Sequence, residues 1–137
     1  MIRDQDLRTS FKMWALDSEV LGQRLDAAAG GPIERVTAQG LVEAARLAAH
    51  LLDEDWIGDA PVAGGDVRVH GQELDERMQV QVGRWLAQTR AMATTCGKNG
   101  TALGARMAHA LGQAVRLVEL RMVGYVVTVD NTLSLSQ

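Results

Sequence analysis

Residues 101–122, TALGARMAHALGQAVRLVELRM, form a long stretch of the chain without a proline or a turn cluster. Gly104, Ala108 and Gly112 recur at every fourth position within it. On a helix these three lie along one side as a small-residue track. Met107, Leu111, Ala114, Val118 and Met122 make an apolar stripe beside that track. An interior glycine costs a helix roughly 1 kcal/mol relative to alanine. Close packing against a second helix would offset that cost, so the stretch is expected to be the spine of a helical bundle.

The partner helix expected from the same logic lies at 37–55, with a start nearer Pro32 as the alternative. Gly40, Ala44 and Ala48 again set small residues four apart, beside Leu41, Ala45, Leu51 and Leu52. The expected contact joins this track to Gly104, Ala108 and Gly112, with the two axes unusually close.

Two further helices complete the set. In 7–28, Leu7, Phe11, Trp14, Ser18, Leu21, Leu25 and Ala28 alternate steps of four and three, the spacing of a helix seam. Met13, Leu16 and Val20 are expected to widen that face. In 73–95, Met78, Val82, Trp85, Thr89 and Met92 repeat the pattern, and Cys96 extends it. Gly30-Gly31-Pro32 ends the first helix, and Gly97-Lys98-Asn99-Gly100 reads as the strongest turn, followed by Thr101 as a helix N-cap.

The segment 57–71 is rich in glycine and reads as a long connection. Residues 123–136 alternate apolar and polar positions on both sides of Asp130-Asn131, as a hairpin or one extended tail would. A lone two-stranded hairpin is only marginally stable in water, so it needs the bundle, Val67–Val69 or another chain as cover. Tyr125, Val127, Val129, Leu133 and Leu135 are therefore the candidate interaction residues of this end. The expected fold is an all-α, antiparallel four-helix bundle of two helical hairpins, one domain across 1–137, with a short β-like C-terminal tail or hairpin.

Composition narrows the partners. The 137 residues carry a formal charge of −3, unevenly placed. Residues 1–70 hold twelve acids against seven Lys and Arg, while residues 71–137 hold five against seven. An acidic total argues against non-specific nucleic-acid binding. The single cysteine, Cys96, precludes an intrachain disulfide and fits a reducing compartment. The opening MIRDQDLR has acids where a signal peptide needs basic and then apolar residues. No apolar run has the length of a membrane span. A cytoplasmic protein is expected, without membrane association.

Residues able to do chemistry are sparse. His50 stands three residues before Asp53 and four before Glu54, but no Glu-x-x-His pair of the helical di-metal kind occurs. Cys96 sits near a helix C-terminus, where the dipole raises a thiol pKa. Phosphate loops, nucleophile elbows and dinucleotide fingerprints are missing from the sequence. No cofactor, metal or catalytic residue is assigned from it. One stretch faintly resembles a helix-turn-helix: Met107–Gly112 as a first helix ending at Leu-Gly, then Gln113–Val118. That reading gives Gln113 and Arg116 to base edges, and Arg106 and Arg121 to phosphates. Against it, Ala114, Val115, Leu117 and Val118 make the supposed recognition helix very apolar.

The leading functional expectation is a non-enzymatic protein–protein interaction module: an adaptor, a chaperone-like protein or an assembly subunit. It would bind a protein partner or itself through an apolar helix face and the C-terminal tail, and a homo-oligomer such as a dimer is expected. A DNA-binding regulator is the second reading, and a small helical enzyme with a site assembled from scattered polar residues is the third.

Overall fold

The computed structural model describes residues 1–53, 62–68 and 74–129, with the side chains of 62–68 and 126–129 left aside. Four helices pack together: α1 (Asp4–Ala27), α2 (Pro32–Asp53), α3 (Glu76–Lys98) and α4 (Ala102–Met122). Two short strands, β1 (Val62–Arg68) and β2 (Tyr125–Val129), pair antiparallel as a ribbon beside α4. The tail strand thus takes residues 62–68 as its cover. The hairpin expected across Asp130-Asn131, with Leu133 and Leu135, lies outside the described residues.

Helix ends follow local chemistry. α2 starts at Pro32 rather than near residue 37, because proline has no amide to leave unpaired in a first turn and its φ is preset. α3 starts at Glu76 rather than 73, where the Asp75 side chain accepts from the Arg77 amide at 3.0 Å. It runs on to Lys98, so the turn narrows to Asn99-Gly100, with Gly100 at φ +77°. Thr101 caps α4 by accepting from the Gly104 amide at 3.1 Å.

The core is a single cluster. Phe11 and Leu25 of α1, Leu41, Ala44 and Ala48 of α2, Val82 and Trp85 of α3, and Met107, Leu111, Ala114 and Leu117 of α4 all belong to it. α2 and α4 pack on each other, α1 covers α2, and α3 covers α4, whereas α1 and α3 touch sparingly. Along α1 and α2 the Glu19–Arg46 ion pair lies at 3.0 Å, while Gly22 sits on Ala38 and Leu41. Along α3 and α4, Arg90 pairs with Glu119, and Gly97 lies against Ala108.

The two small-residue tracks do not meet as expected. A Cβ on Gly40 would lie 2.9 Å from Cγ of Arg121 and 3.5 Å from a Leu117 methyl. On Gly104 it would strike the Cys96 carbonyl at the end of α3, and on Gly112 it would find nothing within 4 Å among the described residues. Fourfold spacing says which side of a helix is smooth; it does not say what that side faces. A close approach of α1 to α2 occurs at Gly22, where a Cβ would lie 2.8 Å from the Ala38 carbonyl oxygen. α4 turns Ala110 and Ala114 inward instead.

A second correction concerns α1. Met13, Leu16 and Val20 do not widen the buried face; they are exposed. At 100° per residue they fall on the side opposite Leu7, Ser18 and Leu25, which are buried.

The chain is also an internal repeat of helix, helix and strand. Asp4, Leu7, Phe11, Trp14, Ser18, Leu21 and Leu25 of α1 stand at the positions of Asp75, the N-cap of α3, and of Met78, Val82, Trp85, Thr89, Met92 and Cys96 within it. With the turn one residue shorter, Ala38, Leu41, Ala44, Arg46 and Leu47 of α2 match Ala108, Leu111, Ala114, Arg116 and Leu117 of α4, each pair identical. Burial follows the same alignment: Ile33, Leu41, Ala44, Leu47 and Ala48 are buried, as are Leu103, Leu111, Ala114, Leu117 and Val118. Each helix pair is followed by one strand, and the two strands pair with each other. The two halves of the chain thus repeat one order of elements.

Candidate interaction site

The repeat brings the two equivalent tryptophans together where α1 faces α3. The Trp14 indole donates from Nε1 to Thr89 Oγ1 at 2.9 Å, and the Trp85 indole donates from Nε1 to Ser18 Oγ at 2.8 Å. Ser18 in turn donates to the Trp14 carbonyl at 2.7 Å. The rings lie 6.0 Å apart and tilted by 30°, within the centroid separations that aromatic pairs favour. Ser18, Thr89 and Trp85 are buried, and Trp14 is half-buried. Polar atoms of this seam are thereby satisfied by one another, which fixes how α1 sits against α3.

Outside the seam the two helices part into a cleft of about 300 Å³. Trp14, Trp85 and Leu21 give it apolar walls; Arg24, Arg84, Asp17, Gln81 and Gln88 stand around its rim. Both indole N–H groups are already committed, so the cleft presents aromatic surface at its base and charge at its edge. Beside its α1 lip runs the exposed strip of Met13, Leu16 and Val20. Aromatic and apolar surface inside a charged rim is the anatomy of a protein-binding patch.

These residues were not singled out by the sequence reading, which placed both tryptophans in separate core seams. The available signal was Trp-x-x-x-Ser in α1 matched by Trp-x-x-x-Thr in α3. An indole donor and a hydroxyl one turn apart, present twice, can satisfy each other across the two helices.

The residues proposed from sequence are scattered. Tyr125 is half-buried against the core, while Val127 and Val129 lie in β2, facing Gly65 and Val62 across the ribbon. Gly40 makes room for Arg121, which is only 4% exposed and forms a two-pronged ion pair with Glu43 at 3.0 and 3.2 Å. Arg121 also donates to the Val36 carbonyl at 3.2 Å. The helix-turn-helix reading fails here, because α4 continues unbroken through Leu111 and Gly112. Leu117 and Val118 face the core and Arg121 is held inside, which leaves Arg116 exposed and Gln113 and Arg106 half-buried. One helix cannot be both halves of that motif.

His50 and His109 are half-buried on different helices, each with an unpartnered Nε2. Among the described residues no three His, Cys, Asp or Glu side chains converge. Cys96 is buried, and burial pushes its thiol above the ordinary value of 9.0. A buried neutral thiol contributes stability that is complete below pH 9.0, then declines as pH rises through the raised folded value. The native chain is therefore expected to react negligibly with a thiol-disulfide reagent near neutral pH, and to release one equivalent in denaturant. Rapid reaction in the native state would mean that the end of α3 opens readily. None of the described helices is long and apolar enough to cross a membrane.

No protein-family model, no curated protein and no solved structure matches the chain.

Proposed function

We propose that this chain is a non-enzymatic interaction module, a single cytoplasmic domain of two antiparallel helical hairpins that binds a polypeptide, foreign or its own. The observation that carries the reading is the joint α1–α3 face, where the Trp14–Trp85 cleft adjoins the exposed strip Met13, Leu16 and Val20. Exposed apolar side chains clustered beside an aromatic cleft are uncommon on a monomer unless something covers them. The residue pairs Glu19–Arg46 and Arg90–Glu119 support the hairpin arrangement. The C-terminal strand contributes a second contact in this reading, since a two-stranded ribbon leaves an outer edge on each strand for another chain.

The test is affinity capture of the tagged chain from its native cell, with co-purifying polypeptides quantified by mass spectrometry. The same capture is run with Leu16→Asp and with a chain ending at Val129. Polypeptides enriched by the native chain and lost with Leu16→Asp are the expected result. Their loss on shortening the chain would assign the second contact to the tail. Capture that is identical for Leu16→Asp and the native chain would refute the α1–α3 face as the binding surface.

A further inference from the structure

We infer that Asn99 is a covalent modification site: the Asn99-Gly100 turn loses ammonia by closing on itself, and the docked backbone of Ile2 holds that reaction off.

The chemistry begins with the dipeptide. In an asparagine-glycine pair the backbone nitrogen of the glycine can attack the carboxamide carbon Cγ before it. A nitrogen–carbon bond forms and the Cγ–Nδ2 bond breaks. Nδ2 departs as ammonia, taking the proton that the attacking amide gives up. Water then opens the imide ring at either carbonyl. One opening leaves an aspartate side chain; the other leaves an isoaspartate linkage, with the backbone running through the former side chain. Glycine favours the attack, because no Cβ crowds its nitrogen. The chain has two asparagines, and the other, Asn131, precedes the branched Thr132.

The fold requires this pair. Gly100 turns the chain at φ +77°, where residues with a side chain are strained. Asn99 makes a clasp: the Ile2 amide donates to its Oδ1 at 2.7 Å, and its Nδ2 donates back to the Ile2 carbonyl at 3.0 Å. Nδ2 also donates to Thr101 Oγ1 at 3.2 Å. A donor facing Oδ1 and two acceptors facing Nδ2 fix the orientation of the carboxamide. The two-way bond needs a donor and an acceptor on one short side chain, which neither aspartate nor an apolar residue supplies.

The same geometry blocks ring closure. Closure needs the Gly100 nitrogen eclipsed with Cβ of Asn99 about the Cα–C bond. Asn99 instead has helical backbone, φ −66° and ψ −21°, and its amide donates to the Cys96 carbonyl at 3.2 Å. At that ψ the Gly100 nitrogen is nearly eclipsed with the Asn99 backbone nitrogen, a different substituent of the same tetrahedral carbon. Attack therefore requires the carboxamide to leave Ile2 and the backbone to rotate about ψ. Gly100 is exposed and Asn99 half-buried, so water reaches the ring once it forms. Residues 1–3 are exposed ahead of α1, and lifting them unlocks the site. The donor to the Ile2 carbonyl is the atom that departs, so the two-way bond cannot re-form afterwards.

The test follows Asn99 by peptide mapping and mass spectrometry in the full-length chain at mildly alkaline pH, where the attacking amide loses its proton more readily. The native chain is compared with the denatured chain, with a chain lacking residues 1 and 2, and with Ile2→Pro, which keeps the length but removes the amide that donates to Oδ1. Asn131 is the internal reference in every sample. Two ordinary hydrogen bonds lower the open population roughly ten- to thirtyfold. The shortened chain is therefore expected to convert at Asn99 faster than the full chain by that factor, Ile2→Pro by a smaller one, and the denatured chain fastest of all. Asn99→Gln should abolish the conversion, since its longer side chain cannot close the same ring. Circular dichroism checks that the shortened chain and Ile2→Pro keep native helix content; if shortening lowers it, Ile2→Pro decides. A folded variant that converts no faster than the full chain overturns the lock. Conversion in denaturant no faster at Asn99 than at Asn131 overturns the site.

Discussion

Replacing Trp85 with alanine is expected to destabilise the fold by about 3–5 kcal/mol in urea denaturation, the range for emptying a large aromatic site in a core. Trp85 is buried, its ring lies on Trp14, and its indole N–H holds Ser18 at 2.8 Å. Removing it opens a void and leaves the Ser18 hydroxyl with one partner fewer. The effect should be unusually cooperative, because α1 and α3 have little else between them. Trp14→Ala is expected to cost less, since Trp14 is half-buried and already wets one edge of its ring. Trp85→Phe should fall between them: it keeps much of the packing but loses the donor, worth about 1 kcal/mol. If Trp85→Ala cost under about 1 kcal/mol, a figure typical of a surface change, the two-tryptophan seam would not be what joins α1 to α3.

That seam shows which parts of the molecule could be read from the sequence. Local signals were legible: Gly100 turning the chain at positive φ, Thr101 capping α4, and the alternating spacing that buries Phe11, Ser18 and Leu25 in α1 and Met78, Val82 and Thr89 in α3. Such signals depend on residues a few positions apart. The contacts that define the candidate site join positions such as Trp14 and Thr89, whose separation in sequence carries no periodicity. The helical repeat could have supplied that link. It stays faint because the identities are few and the turn differs by one residue, so the matching positions drift out of step between α1/α3 and α2/α4. Met13, Leu16 and Val20 were misassigned for a related reason. Apolar residues at helical spacing identify a face, and α1 has two of them.

Glycine supplies the sharpest contrast between spacing and surroundings. Gly22→Ala is expected to cost about 1–3 kcal/mol, the usual penalty for overpacking. The new methyl would lie 2.7 Å from Val42 Cγ2, 2.8 Å from the Ala38 carbonyl oxygen and 3.1 Å from Leu41 Cβ. Val42 can turn aside, but the Ala38 carbonyl belongs to the backbone of α2, so α1 itself must move off its neighbour. Gly83→Ala should do the reverse. Its methyl meets nothing within 4 Å among the described residues, so the helix-propensity gain dominates, about 0.5–1 kcal/mol of added stability. Measuring both in a Leu16→Asp background keeps self-association out of the comparison. If Gly22→Ala left the urea midpoint unchanged or raised it, the close contact of α1 with α2 at Gly22 would be wrong. α1 would then have to sit further from α2, and the face it presents to solvent would have to be redrawn.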